Sequence, residues 1–84
     1  MEEIKLEHPI TADGHEVKSL KLRRPKVRDL EVMEAAGEKD IARSVSLIAN
    51  LAEVSPDALR ELDAGDFMRV SETVAGFLGQ KSLT

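Results

Sequence analysis

The spacing of apolar residues along this chain changes once, from a period of two to a period of about 3.6. Ile4 and Leu6 alternate with charged residues, and a second alternating run contains Leu20. Alternation with period two is typical of strands that have one buried face. The later apolar residues recur at helical spacing. The pattern therefore predicts an α+β fold, with a β-hairpin over residues 1–25 packed on three to four α-helices over residues 26–79.

The turn between the two strands decides which residues face each other. A two-residue turn, Asp13-Gly14, sets Leu6 opposite Lys21, which is wrong for a hairpin with one buried face. A three-residue loop, Ala12-Asp13-Gly14, sets Leu6 opposite Leu20, so we predict a type I turn followed by a glycine bulge. Because an isolated two-stranded hairpin is marginal in water, its apolar face must pack on the helices or on another chain. The first strand is a candidate edge for pairing with a partner strand.

Capping signals divide the rest of the chain into helical segments. The predicted helices run from about Lys26 to Ala36, from an Asp40 cap to about Ala52, from Ser55-Pro56 past Leu59 and Leu62, and from an Asp63 cap to Gly79. Gly37 stands where a glycine often ends a helix. Asp66 falls near the first turn of the last helix, where a carboxylate favours the helix dipole. We expect residues 80–84 to be a frayed tail and residues 1–84 to form a single domain.

Composition limits the functions that this chain can perform. It has 84 residues, no cysteine and a formal net charge of −4. The absence of cysteine excludes disulfides and thiolate chemistry and fits a reducing cytosol. The chain has no apolar run that could span a membrane, and Met1-Glu2-Glu3 is not followed by the apolar region of a signal peptide. We therefore expect a cytoplasmic protein.

No group of residues predicts catalysis, a metal site or a cofactor. His8 and His15 lack a third ligand at suitable spacing. Carboxylates such as Asp57 and Asp63 fall near helix starts, where capping and the helix dipole explain them. The chain has no Gly-x-Ser-x-Gly elbow, no phosphate-binding glycine loop and no dinucleotide fingerprint. We expect a protein that is not an enzyme and needs no cofactor.

One local cluster of positive charge leaves a second function open. It comprises Lys18, Lys21, Arg23, Arg24, Lys26 and Arg28. Contact with phosphate groups would make the chain a small nucleic-acid-binding regulator, the alternative function. The net negative charge and the near absence of aromatic residues favour a solvated strand face instead. Neither nucleic acid nor a membrane is therefore an expected partner.

An ordered series of short motifs runs through nearly the whole chain. It begins with His8-Pro9-Ile10 and Asp13-Gly14, includes the specific stretch Leu20-x-Leu22-Arg23-x-Pro25-x-x-x-Asp29-Leu30, and continues through Leu47-Ile48-Ala49 and Val54-Ser55 to Phe77-Leu78. Over residues 4–78 this series resembles the tail assembly chaperones of Mu-like and P2-like contractile-tailed phages, the E-type proteins.

The resemblance implies a non-catalytic role in the tail assembly of a phage or prophage, in the host cytoplasm and outside the mature virion. It implies that the chain binds the tape measure protein, keeps it soluble and helps to recruit tail tube subunits. It also implies that a longer form made by ribosomal frameshifting can accompany this chain. Self-association is left open, because a domain of this size has a thin core.

Two sets of residues are candidates for partner binding. The first set is apolar and exceeds what one buried stripe needs: Met33, Leu47, Met68 and Leu78. We expect these to form a groove for an apolar helix, with completion of the core as the alternative. The second set matches the family pattern: Arg23, Pro25 and Asp29, for which a structural corner between strand and helix is the alternative. Lys26 departs from the Thr or Ser expected in this family, a lost cap that costs about 1 kcal/mol.

Overall fold

The computed structural model describes residues 2–37 and 39–79. A two-stranded antiparallel hairpin, β1 (Glu2–Ala12) and β2 (His15–Leu22), is followed by α1 (Val27–Ala35), α2 (Asp40–Ala52), α3 (Pro56–Leu59) and α4 (Ala64–Phe77). The predicted α+β arrangement is confirmed. The expected frayed tail, residues 80–84, lies outside the described residues. No helix in the described part of the chain is long and apolar enough to cross a membrane.

The hydrophobic core lies between the inner face of the hairpin and the helices α2 and α4. Leu20 and Leu22 of β2 are buried there against Ile48 and Leu51 of α2 and Val70 of α4. Helix α2 is central, because it contacts β2 and each of the other described helices. Helix α1, by contrast, packs on α2 alone within the described residues. One side of α1 therefore remains open to solvent.

The hairpin register differs from the predicted one. Asp13 and Gly14 have φ angles of 52° and 78° and form a two-residue turn, because Ala12 pairs with His15. Positive φ at both central residues defines a type I′ turn, so the prediction of a three-residue loop is wrong. The predicted pairing of Leu6 with Leu20 is wrong as well, since Leu20 pairs with Ile4.

The reason lies in the apolar pattern of β2, which changes faces between Val17 and Leu20. The tight turn pairs Val17 with Ile10 near the loop, whereas Leu20 pairs with Ile4 further along. Residues three apart in a regular strand lie on opposite faces of the sheet, so Val17 and Leu20 cannot both face the core in any register. β1 matches this change with an irregularity in which its residues 6–9 lie opposite one residue of β2, so that Ile10 pairs with Val17 while Ile4 pairs with Leu20.

This irregular stretch of β1 is held by a carboxylate from α4. The Glu7 N–H donates to Asp66 Oδ1 at 3.1 Å, and the His8 N–H donates to Oδ2 at 3.0 Å. Arg69 also donates to the Asp66 carboxylate, which is 1% exposed. Burial acts to raise the pKa of Asp66, but the hydrogen bonds from His8, Glu7 and Arg69 outweigh it, so the pKa lies below its ordinary value. Asp66 thus joins the hairpin to α4 in addition to lying in the first turn of that helix.

Most helix starts follow the predicted signals. Ser55 and Asp63 each accept a backbone N–H hydrogen bond at the start of α3 and α4, at 3.1 Å and 2.9 Å. The prediction that Asp40 caps α2 is wrong. Asp40 is already part of α2, and Lys39 occupies the N-cap position without a side-chain hydrogen bond. A carboxylate in the first turn still interacts favourably with the helix dipole, which accounts for Asp40 at this place.

Replacing Asp66 by alanine is expected to lower the urea midpoint of unfolding by about 1 M or more, because two strand N–H groups lose their buried acceptor. Amide exchange at Glu7 and His8 should quicken about tenfold. The control is Asp57→Ala, which removes a carboxylate that is 95% exposed and paired with Arg60. Equal effects of the two substitutions would contradict the assigned role of Asp66.

Replacing Lys26 by threonine is expected to stabilise the fold by about 1 kcal/mol. Lys26 is the N-cap of α1, has extended backbone angles and makes no side-chain hydrogen bond to the first turn. A hydroxyl at this position can accept a hydrogen bond from an N–H of that turn. Thermal unfolding of Lys26→Thr and Lys26→Ala separates the new cap from the mere loss of lysine, since only the first substitution adds an acceptor. The same gain in both variants would refute the explanation.

Candidate partner-binding groove

An apolar groove lies between α1 and α4, with α2 as its floor. Its volume is about 520 Å³. Apolar residues from all three helices line it: Leu30 and Met33 on α1, Ile41, Leu47 and Ile48 on α2, and Phe67, Met68, Val74 and Leu78 on or just after α4. The groove stays open because α1 and α4 both pack on α2 and not on each other within the described residues.

The four apolar residues predicted for partner binding all line this groove. Leu47 is buried at the floor, Met33 and Leu78 are half-buried in the walls, and Met68 is 60% exposed. Side chains that are far apart in the sequence therefore meet on one surface. Their contact with a partner stays a prediction.

Sequence reasoning missed two residues of the same surface. Ile41 is 71% exposed and Leu30 is 37% exposed, and both line the groove. Leu30 lies three residues before Met33, so helical spacing could have identified it. Ile41 shares the helical spacing of Val45 and Ile48, which predicts burial, whereas it lies at the exposed edge of α2. The exposed apolar surface is thus larger than the sequence indicated.

Four polar or charged residues also line the groove: Asp40, Arg43, Ser44 and Ser71. Ser71 Oγ is buried in the wall and has no hydrogen-bond partner among the described residues. Arg43 donates to Glu34 Oε1 at 2.7 Å, a contact that links α2 to α1.

Beside the groove, Asp29 is fully buried where β2 leads into α1. Arg23 donates to its two carboxylate oxygens at 2.8 Å and 2.7 Å, and the Lys26 N–H donates to Oδ2 at 2.6 Å. Asn50 of α2 donates to the same carboxylate. The hydrogen bonds from Arg23 lower the pKa of Asp29, burial opposes them, and those from Lys26 and Asn50 lower it further, to about 2.

These contacts place the three residues of the family pattern in a structural corner. The Arg23 N–H also donates to the Leu51 carbonyl oxygen at 3.2 Å, which ties the end of β2 to α2. Pro25 is half-buried in the connection to α1. The Asp29 side chain has no exposed surface, and the Arg23 side chain is 18% exposed. The corner accounts for the pattern, and a direct contact of these residues with a partner stays a prediction.

Two of the six residues of the basic cluster, Arg23 and Arg24, make contacts with other parts of the fold. Arg23 is bound to Asp29, and the Arg24 guanidinium lies 5.8 Å from the centroid of the Phe77 ring. A cation over an aromatic ring is a stabilising arrangement, and this one links the corner to the end of α4. Of these two contacts, the ion pair of Arg23 with Asp29 neutralises one of the positive charges that segment 18–28 could offer to phosphate groups.

The stability of the protein is expected to fall between about pH 4 and pH 2, because Asp29 has a folded pKa of about 2 against about 3.9 in the unfolded chain. A lowered folded pKa stabilises above the unfolded pKa, and this contribution is lost as the pH falls toward the folded pKa. Asp29→Asn should lose about 3 kcal/mol at neutral pH and show a shallower acid dependence. Urea unfolding at a series of pH values measures both. Parallel pH curves for the two proteins would contradict this assignment.

The sequence and the fold can be compared with those of known proteins. No curated protein and no solved structure matches the chain significantly. The model of a family described as "Phage tail assembly chaperone proteins, E, or 41 or 14" matches residues 3–79. The match includes the hairpin, the corner and the residues that line the groove, and it confirms the resemblance found in the motifs. The chain belongs to this family of phage tail assembly chaperone proteins.

Proposed function

We propose that the chain binds the tape measure protein during tail assembly by holding an amphipathic helix of that protein in the groove between α1 and α4. Family membership already gives a role in tail assembly with protein partners and suggests a non-enzymatic protein. The observation that carries the proposal is the convergence of three helices on one apolar groove. Leu30, Ile41 and Met68 remain exposed there in the free protein.

Helix-in-groove binding fits this surface physically. An amphipathic helix places its apolar side chains along one stripe, and a groove between two helices receives such a stripe. Burying the exposed parts of Ile41 and Met68 would contribute about 1 to 2 kcal/mol each to binding. Met33 and Met68 are unbranched and flexible, so they adapt to apolar segments of different sequence. Such a site suits a long partner that offers several similar segments.

Shielding also explains how binding would keep the partner soluble. An apolar stripe covered by the groove is no longer free to associate with other apolar stripes. The chaperone has a net charge of −4 and adds negative charge to each complex. Like charge on neighbouring complexes opposes their association.

Co-expression of the tagged chain with the tape measure protein encoded beside it is expected to bring that protein into the soluble fraction and to co-purify it. Met68→Asp and Ile41→Asp place a charge on exposed apolar positions of the groove and should reduce the recovery about tenfold or more, because a charge cannot be buried cheaply under an apolar stripe. Circular dichroism establishes that each variant is folded. No recovery with the wild-type chain would contradict the tape measure protein as partner.

Two residues of α1 with similar exposure allow a matched test of whether the groove is the binding surface. Leu30 and Val32 are 37% and 39% exposed, but only Leu30 lines the groove. Leu30→Asp should reduce the recovery of the tape measure protein, whereas Val32→Asp should leave it near the wild-type value. Equal losses in these two variants would contradict the groove as the binding surface.

A further inference from the structure

Carboxylates border the groove on all three of its helices. Glu34 lies four residues after Leu30 on α1, and Glu72 lies four residues after Met68 on α4, so each shares a helix face with a groove residue. Asp40 lines the groove directly at the start of α2. All three of these acidic residues are exposed. A molecule that enters the groove therefore passes between negative charges on both walls and at one end.

Positive charge around the groove is smaller and partly neutralised. Arg43 lines the groove and is bound to Glu34 at 2.7 Å, so these two charges neutralise each other. Lys39 immediately precedes α2, and Glu31 adds a further exposed carboxylate to α1 beside Leu30. A second ion pair neutralises Arg69 with Asp66. Among the other described residues that line or border the groove, the carboxylates of Glu31, Asp40 and Glu72 outnumber the cation of Lys39, so the balance of charge is negative, in agreement with the sign of the whole chain.

From this border we propose that the helix held in the groove carries lysine or arginine residues on both sides of its apolar stripe, an inference that rests on the proposed function. Long basic side chains can lay their methylene stems along an apolar surface while their charged ends reach the rim. There they would lie near Glu34 and Glu72, whereas an acidic flank would be repelled. Exposed pairs of this kind contribute modestly to affinity and more strongly to the choice of partner and the rate of association.

Two synthetic helical peptides test this inference without knowledge of the natural segment. They share one leucine stripe at spacing i, i+3, i+4 and i+7, and their flanking positions carry either lysine or glutamate. Fluorescence anisotropy with the full chain measures their affinities at about 0.02 M and 0.5 M salt. We expect the lysine peptide to bind about tenfold more tightly at low salt, and the difference to shrink at high salt.

Reversing the charge of the two glutamates that border the groove tests whether the preference for the lysine peptide arises at the groove. In Glu34→Lys/Glu72→Lys, the glutamate peptide should bind at least as tightly as the lysine peptide. The control, Glu2→Lys/Glu61→Lys, makes the same change in net charge at exposed residues that do not line the groove. It should leave most of the preference in place, because salt screens distant charges.

The possible outcomes separate this inference from the proposed function. Equal affinity of the wild-type chain for the two peptides would overturn the inference and leave the groove as a site for apolar helices of any charge. The inference would also be overturned if Glu2→Lys/Glu61→Lys reversed the peptide preference as strongly as Glu34→Lys/Glu72→Lys does. Binding of neither peptide would overturn it together with helix-in-groove docking, while recovery of the tape measure protein in co-expression would still establish that partner.

Discussion

The position of α1 depends on the contacts of one buried carboxylate. Helix α1 packs on α2 alone in the described part of the chain, and the ion pair between Glu34 and Arg43 also joins these two helices. Asp29 accepts hydrogen bonds from Arg23 at the end of β2 and from Asn50 of α2, and it thereby joins three elements at one point. Leu30, the next residue, lines the groove. The same turn of helix thus forms the corner and one wall of the groove, so the structural motif and the proposed binding surface lie side by side in this chain.

Local signals predicted the elements well, and contacts between distant residues explain what they missed. Ser55-Pro56 and Asp63 mark helix starts within a few residues of themselves, so the sequence shows them directly. The hairpin register depends on an irregular stretch whose N–H groups are bound by Asp66, 58 and 59 residues away. No local pattern reveals such a contact, and Asp66 was read as a dipole residue only. Val17 was the one local sign, because its face disagrees with that of Leu20.

In the candidate site, too, local sequence predicted some features, and others depend on how distant parts of the chain pack together. Helical spacing singled out Met33, Leu47, Met68 and Leu78 as apolar residues beyond one stripe, because the face on which a helical residue lies follows from its number. Leu47 proves to belong to the buried core, whereas Met68 is 60% exposed. That they would share one groove did not follow, since this depends on α1 and α4 both lying against α2. The acidic border of the groove likewise depends on how the helices pack. Glu34 and Glu72 lie on different helices and come to border one surface only in the folded chain.

The irregular stretch of β1 has a further consequence for a sheet that has only two strands. Pro9 has no N–H, and the N–H groups of Glu7 and His8 are already bound to Asp66. Three consecutive residues in the middle of β1 therefore offer no donor to an added strand, and only short segments on either side could pair. Interrupted edges of this kind protect proteins from growing into continuous intermolecular sheets. A chaperone that gathers around an apolar partner at high local concentration would be spared fibril formation through its own hairpin.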